Sequence, residues 1–133
     1  MSVNSEVYKK YLTVSEDDLD DQQHVNNVRY VQWIQDVAQE HWETRASEEQ
    51  KVSFAWVVVR HEIDYKMEAL LNDEILLETR IIDTTHVTSV REVAIKNNNS
   101  GKLLAKAKTT WCLLDQKTKK PQRISDELKE IFQ

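Results

Sequence analysis

A chain of 133 residues suits one domain and buries roughly two-thirds of its unfolded surface, enough for a single core. Its 18 basic and 23 acidic side chains leave a formal charge of −5, which argues against a nucleic-acid footprint, since that needs a basic face. No run approaches the roughly 18 apolar residues of a membrane span, the opening "MSVNSEVYKKY" is no secretory leader, and the lone Cys112 has no internal disulfide partner. A soluble, cytoplasmic protein is expected, with Cys112 a buried thiol in "TTWCLLD".

Only one glycine and one proline punctuate the chain, so the elements are read from hydrophobic period. Val7–Val14 mixes aromatic and β-branched residues and reads as a strand. Glu16–Gln23 is a polar loop. From about Asn27 the period changes: Val31, Ile34, Ala38 and Trp42 recur at three and four, and Tyr30, Trp33, Val37 and His41 widen the same face. This is a long amphipathic helix ending near "ETRASEEQK", capped by Asn26 or Asn27.

The second half alternates. Strands are expected over Val52–Tyr65, Glu74–Asp83, Val87–Lys96 and Leu103–Asp115. In the last, Leu103, Ala105, Ala107, Thr109, Trp111 and Leu113 share a face. "LLND" and "DTTH" join the earlier strands, and "NNNSG" turns a hairpin with Gly101 where positive φ is commonly needed. "ISDELKEIF" closes the chain as a short helix capped by Ser125. The order gives an α+β domain over 1–133, in which a meander of four strands and the first strand form an antiparallel sheet wrapped around one helix.

The stretch Asp18–Asn27, "DLDDQQHVNN", concentrates acids and amides ahead of the buried helix. The first helical turn leaves N–H groups unpaired and carries a partial positive charge, so a carbonyl oxygen placed there is polarised. Asp20, in the loop before it, can attack such a carbonyl or activate a water that does. The bland alternative is equally physical: acids complement a helix dipole, and Asn caps helices. Asp17, Asp18 and Asp21 are assigned to that alternative, as a solvated charge cluster.

"DLDDQQHVNNVRYVQWI" resembles the signature of the hotdog-fold thioesterases of the 4-hydroxybenzoyl-CoA thioesterase type, an Asp followed by His-Val-Asn-Asn and a Tyr. It is closer to the plant acyl-ACP thioesterases, and "HEIDY" and "PQRIS" extend the similarity. The resemblance implies a hotdog fold and hydrolysis of acyl-CoA or acyl-carrier-protein thioesters, with no cofactor. It maps Asp20 onto the catalytic carboxylate and His24 onto the motif histidine. Glu62, in "RHEI", falls on a second acidic residue. Gln22 stands where the plant branch has a catalytic Asn, and Gln23 stands where many members have Gly.

Thus Asp20, His24 and Glu62 are the candidate catalytic residues, and Gln22, Gln23, Asn26 and Asn27 the candidate substrate contacts. For His24 the alternative is a histidine that fixes the loop. For Glu62 it is an exposed sheet residue paired with arginine, on one face with Val58, Arg60 and Asp64. His24, His41, His61 and His86 show no metal-ligand spacing. Lys66, Arg91, Lys96, Lys106 and Lys108 are candidate phosphate contacts by residue type alone, against a solvated sheet face. Trp33, Trp42, Trp56 and Trp111 belong to core or interface.

A sheet edge left unpaired invites a second copy, and the resemblance implies a homodimer or homotetramer with the acyl site between subunits. Two other functions stay open. A hotdog protein that binds acyl thioesters without cleaving them would keep the pocket. A hydratase would need a His-Phe-Pro segment, which is missing.

Overall fold

The computed structural model describes residues 5–133. Strand β1 (Tyr8–Thr13) leads through a single 3-10 turn at Glu16–Asp18 into helix α1 (Asn27–Arg45). A short helix α2 (Glu48–Ser53) follows, then strands β2 (Phe54–Tyr65), β3 (Glu74–Thr84), β4 (Thr88–Asn97) and β5 (Leu103–Asp115), and helix α3 (Asp126–Glu130). The expected strand from Val52 therefore begins two residues later. Ser47 accepts from the Gln50 N–H while the Gln50 side chain returns to the Ser47 N–H, and this capping box holds Val52 and Ser53 in α2.

The five strands form one antiparallel sheet in the order β1-β3-β4-β5-β2. The expected meander holds for β3, β4 and β5 only. β2 pairs with β5, so "LLND" does not turn a hairpin between β2 and β3. Instead, residues 66–73 carry the chain from one edge of the sheet toward the other, past the start of α1. There the Ala69 carbonyl accepts from the Val25 N–H at 3.2 Å, and the Ala69 N–H donates to the buried Tyr30 hydroxyl at 3.1 Å. The β4–β5 turn is as expected: the Asn97 side chain accepts from Asn99 and Ser100, and Gly101 takes φ +75°.

Helix α1 lays its apolar face on the sheet. Ile34, Val37, Ile75, Leu77, Val93 and Ile95 pack with Tyr30, Trp33, Val25 and Ala105 as the main core. A second cluster, with Trp42, Leu113, Ile124, Leu128 and Phe132, fills the far end under α3, whose cap is Ser125. Trp33, Trp42 and Trp111 are buried, Trp56 packs edge-on against Trp42, and Cys112 is a buried free thiol.

One polar network crosses this core. Burial and the neighbouring Arg91 push His41 down to about 4, so its ring is neutral at pH 7. Its Nδ1 accepts from Arg91 Nη1 at 3.0 Å, and Nε2–H donates to Glu6 at 2.6 Å. Glu6 in turn accepts two bonds from Arg45, at 2.8 and 2.9 Å. Arg91 is therefore not a solvated sheet cation. It alternates onto the same face as Val93 and Ile95 and is buried. Lys96 and Lys106 do lie on the outer face, paired with Glu78 and Glu92.

Candidate active site

The polar stretch folds into a closed hairpin standing on the N-terminus of α1. Leu19 and Val25 bridge its base, and the Asp20 N–H donates to the His24 carbonyl at 2.8 Å. Within the loop, Asp20 Oδ1 accepts from the Gln22 N–H at 2.9 Å and the His24 N–H at 3.1 Å. An aspartate fits because its short carboxylate reaches the backbone two to four residues on. The result is asymmetric. Oδ1 is fixed by two donors, while Oδ2 accepts from no protein group among the described residues.

The helix entry completes the arrangement. Asn26 is the cap, its side chain accepting from the Val28 N–H at 3.0 Å, and its own N–H donates to the Asp18 carbonyl at 2.9 Å. The sequence leaves every N–H from Gln23 to Asn27 as a candidate donor to a substrate carbonyl. In the structure those of Gln23, His24, Val25 and Asn26 are spent on Asp20, Ala69 and Asp18, and only the Asn27 N–H has no acceptor. It sits at the positive end of a 19-residue helix, where an oxyanion is stabilised.

Gln23 adopts φ 63°, the left-handed conformation that glycine reaches without cost. This explains why glycine suits the position and what glutamine gives up there. Replacing Gln23 by Gly should leave urea stability equal or slightly higher. Gln23→Val should lower it by roughly 1–2 kcal/mol, because a β-branched residue is strained at positive φ.

The other candidates divide. Gln22 and Gln23 are exposed, and Gln22 meets Asp20 through its backbone only. Asn27 is exposed on the first turn. The His24 ring pairs with Glu68 at 3.2 Å, with 41% of the side chain exposed, and makes no hydrogen bond to Asp20 among the described residues. Glu68 has no sequence signal; the crossing segment brings it there. Asp18 is more than a solvated charge, since it pairs with Arg29 at 3.0 Å and clamps the loop to the helix.

Glu62 is not brought to this loop by any hydrogen bond among the described residues. Its partner is Arg60, and it opposes Lys108 across the β2–β5 ladder. The neighbouring His61 points the other way, toward α1, reaching Gln35 at 3.3 Å and Thr109 at 2.9 Å. A bulge between Val58 and Arg60 shifts the alternation, so Val58 opposes Trp111 on the helix side and does not share the Glu62 face. Among the described residues no group of three or more His, Cys, Asp or Glu could hold a metal ion, and no helix is long and apolar enough to cross a membrane.

Comparison with known proteins places this geometry in a family. Residues 5–132 match the family described as the acyl-ACP thioesterase N-terminal domain. The chain is 28% identical over 114 residues to the long-chain acyl-CoA thioesterase FadM of Escherichia coli, covering 84% of this chain and 86% of that protein. It is 24% identical over 82 residues to an oleoyl-acyl carrier protein thioesterase of Arabidopsis thaliana, of which it spans 22%. Among solved structures, the probable thioesterase YbaW from Escherichia coli superposes with a TM-score of 0.83 at 26% identity, covering 93% of this chain and 95% of that one. A 1,4-dihydroxy-2-naphthoyl-CoA thioesterase from Synechocystis shares the fold, with a TM-score of 0.81 at 18% identity and 94% of each chain covered. The chain belongs to the acyl-ACP thioesterase N-terminal domain family and is a hotdog-fold acyl thioesterase.

Proposed function

We propose that the chain cleaves acyl-CoA thioesters at the Asp20 hairpin, with the thioester carbonyl oxygen on the Asn27 N–H and the Asp20 Oδ2 carboxylate oxygen facing the carbonyl carbon. The observation that carries this reading is the split carboxylate: one oxygen locked by two backbone donors, the other without a donor among the described residues, in the loop that leads into the N-terminus of α1. A fixed, unpartnered carboxylate oxygen is poised to take a proton from water or to add to the carbonyl itself. Either route ends in free acid and thiol. His24, held by Glu68, stands at the rim and meets the leaving thiolate side of the substrate.

A CoA carrier is supported by the relative FadM, which this chain matches over most of its length. A carrier-protein thioester is the second reading, supported by the family match. A panel of acyl-CoA and acyl-carrier-protein thioesters with colorimetric thiol detection tests both. Turnover of the CoA series is expected, and binding of acyl-CoA without thiol release would leave a non-catalytic acyl-binding protein.

The functional unit in this proposal is at least a dimer. β2 is a 12-residue edge strand with exposed Val57, Val59 and Tyr65, followed by exposed Met67 and Leu70. A long apolar edge of this kind is an association site unless protected. Light scattering should give twice the 15.7 kDa of one chain or more. The Val57→Lys, Val59→Lys double variant should shift toward monomer and lose activity with it. A monomeric, fully active wild type would overturn the dimer.

A further inference from the structure

At the other end of α1 the helix, the sheet and Phe132 line a cavity of about 260 Å³ that opens to solvent on one side. Five aromatic rings, Trp42, Phe54, Trp56, Trp111 and Phe132, line it, together with Gln39, Gln116 and the pair Glu43 and Lys51, which stand 3.8 Å apart and so offset each other's charge. A neighbouring cavity of about 290 Å³ shares Trp56, Ile81, Ser89 and Phe132 with it and continues toward Lys129. The helix residues of the first cavity, Ala38 to Glu43, lie at least eleven residues beyond Asn27, about 16 Å along the axis at the helical rise. Ile34 and Val37, both with no exposed surface, fill the core between. Within one chain this is a separate place from the Asp20 hairpin.

Two polar groups in this wall have no hydrogen-bond partner, and a third, Arg91, has no counter-charge. Ser89 and Trp111, each 4% exposed, are directly opposite each other in the β4–β5 ladder, and both line the cavity. Ser89 Oγ and Trp111 Nε1 are buried with no hydrogen-bond partner, a state that folded proteins rarely tolerate. Two residues further along the same face of β4 is Arg91, 5% exposed and also in the wall.

The Arg91 guanidinium donates through Nη1 to two neutral acceptors, His41 at 3.0 Å and Thr79 at 3.4 Å, and lies 4.9 Å over the Phe132 ring. Nε and Nη2 donate to nothing among the described residues, and no carboxylate pairs with Arg91 there. The acid beyond His41, Glu6, is already matched by Arg45. The network thus holds two cations against one carboxylate, and the excess positive charge is at Arg91. A buried cation flanked by two idle hydrogen-bonding groups on an aromatic wall is complementary to one ligand chemistry.

We propose that this cavity binds an apolar carboxylate, its oxygens accepting from Arg91, Ser89 and Trp111 and its hydrocarbon body lying among the aromatic rings. Two sources share that chemistry: a free carboxylic acid, or the far carboxylate of a dicarboxylic acyl thioester presented from a neighbouring copy. Neither the cavity nor its unmatched groups depend on the assignment of Asp20.

Calorimetric titration of the full chain with octanoate and with benzoate tests the site without turnover. Saturable binding is expected, with octanol at least tenfold weaker than octanoate. Ser89→Ala, which removes one hydrogen-bonding atom and keeps the packing, and Trp111→Phe, which removes the indole N–H with part of the ring, should each weaken octanoate at least fivefold while circular dichroism stays unchanged. A parallel assay compares suberoyl-CoA with octanoyl-CoA as substrates. If Ser89→Ala lowers kcat/KM for suberoyl-CoA alone, the thioester tail is the source; if it lowers neither while octanoate binds, the free acid is. The proposal is overturned if octanoate and octanol bind alike or if both variants bind octanoate as the wild type does. It is equally overturned if octanoate shows no saturable binding and suberoyl-CoA responds to neither variant.

Discussion

Asp20→Ala should reduce thioester hydrolysis by at least about a thousandfold, within the range lost when a positioned proton-transfer or nucleophilic group is removed. The same substitution deletes the acceptor for the Gln22 and His24 backbone N–H groups and should also loosen the hairpin. Two lost bonds of this partly exposed kind are worth about 1–2 kcal/mol together. Asp20→Asn separates the two effects. Its amide oxygen can still take the Oδ1 bonds, so stability to urea should stay near that of the wild type. Its other position becomes an NH2 group, which neither accepts a proton nor attacks, so activity should fall as far as in the alanine variant. An asparagine variant retaining more than a tenth of wild-type kcat/KM would remove Asp20 from the chemistry.

The second large effect is on stability in acid. His41 is wholly buried, and burial with the adjacent Arg91 lowers it from 6.5 to about 4. The unfolded chain therefore binds a proton at this residue between those two values, and the folded chain does not. Stability from this group is complete above pH 6.5 and is lost as pH falls toward 4, a change of roughly 3 kcal/mol at 1.36 kcal/mol per unit. Glu6, held below the usual carboxylate range chiefly by Arg45 and in part by His41, adds to the loss at the lower end as it protonates. Urea midpoints measured at several values from pH 7.5 to 4 should fall across that window. His41→Gln should begin less stable at neutral pH and show a flatter profile. A variant with the same slope as the wild type would assign the acid sensitivity to other groups.

How much of this was legible depended on whether the signal was local. β5 has the bounds expected from its alternation, and Ser125 caps α3 as its position before "DELKE" implies. The short helix α2 also had a local signal, the Ser47-x-x-Gln50 box, hidden by the β-branched run that follows. The pairing of β2 with β5 had none, because strand partners are chosen over a long separation and "LLND" looks like any turn. Counting in twos along β4 from Val93 and Ile95 puts Arg91 inside, so its burial was readable; its contact with His41 was not. The Val58 bulge broke the same counting in β2.

At the site, the motif located the Asp20 hairpin, and the fold adds what spacing cannot show. Backbone hydrogen bonding decides which donors remain, and it leaves Asn27 alone of the five. The crossing segment brings Glu68 to the His24 ring, which bonds to it and not to Asp20 among the described residues. Gln23 shows the reverse case, a glycine-like conformation readable from the resemblance but occupied here by a side chain.

The most direct measurement is a crystal structure with an acyl-CoA analogue in which methylene replaces the thioester sulfur, leaving a stable ketone. The ketone oxygen is predicted about 2.7–3.1 Å from the Asn27 nitrogen, as for a preorganised oxyanion donor. Asp20 Oδ2 should stand about 3–3.5 Å from the ketone carbon, or one bridging water away. A ketone bound elsewhere, with Oδ2 facing only solvent and the Asn27 N–H unoccupied, would contradict the account.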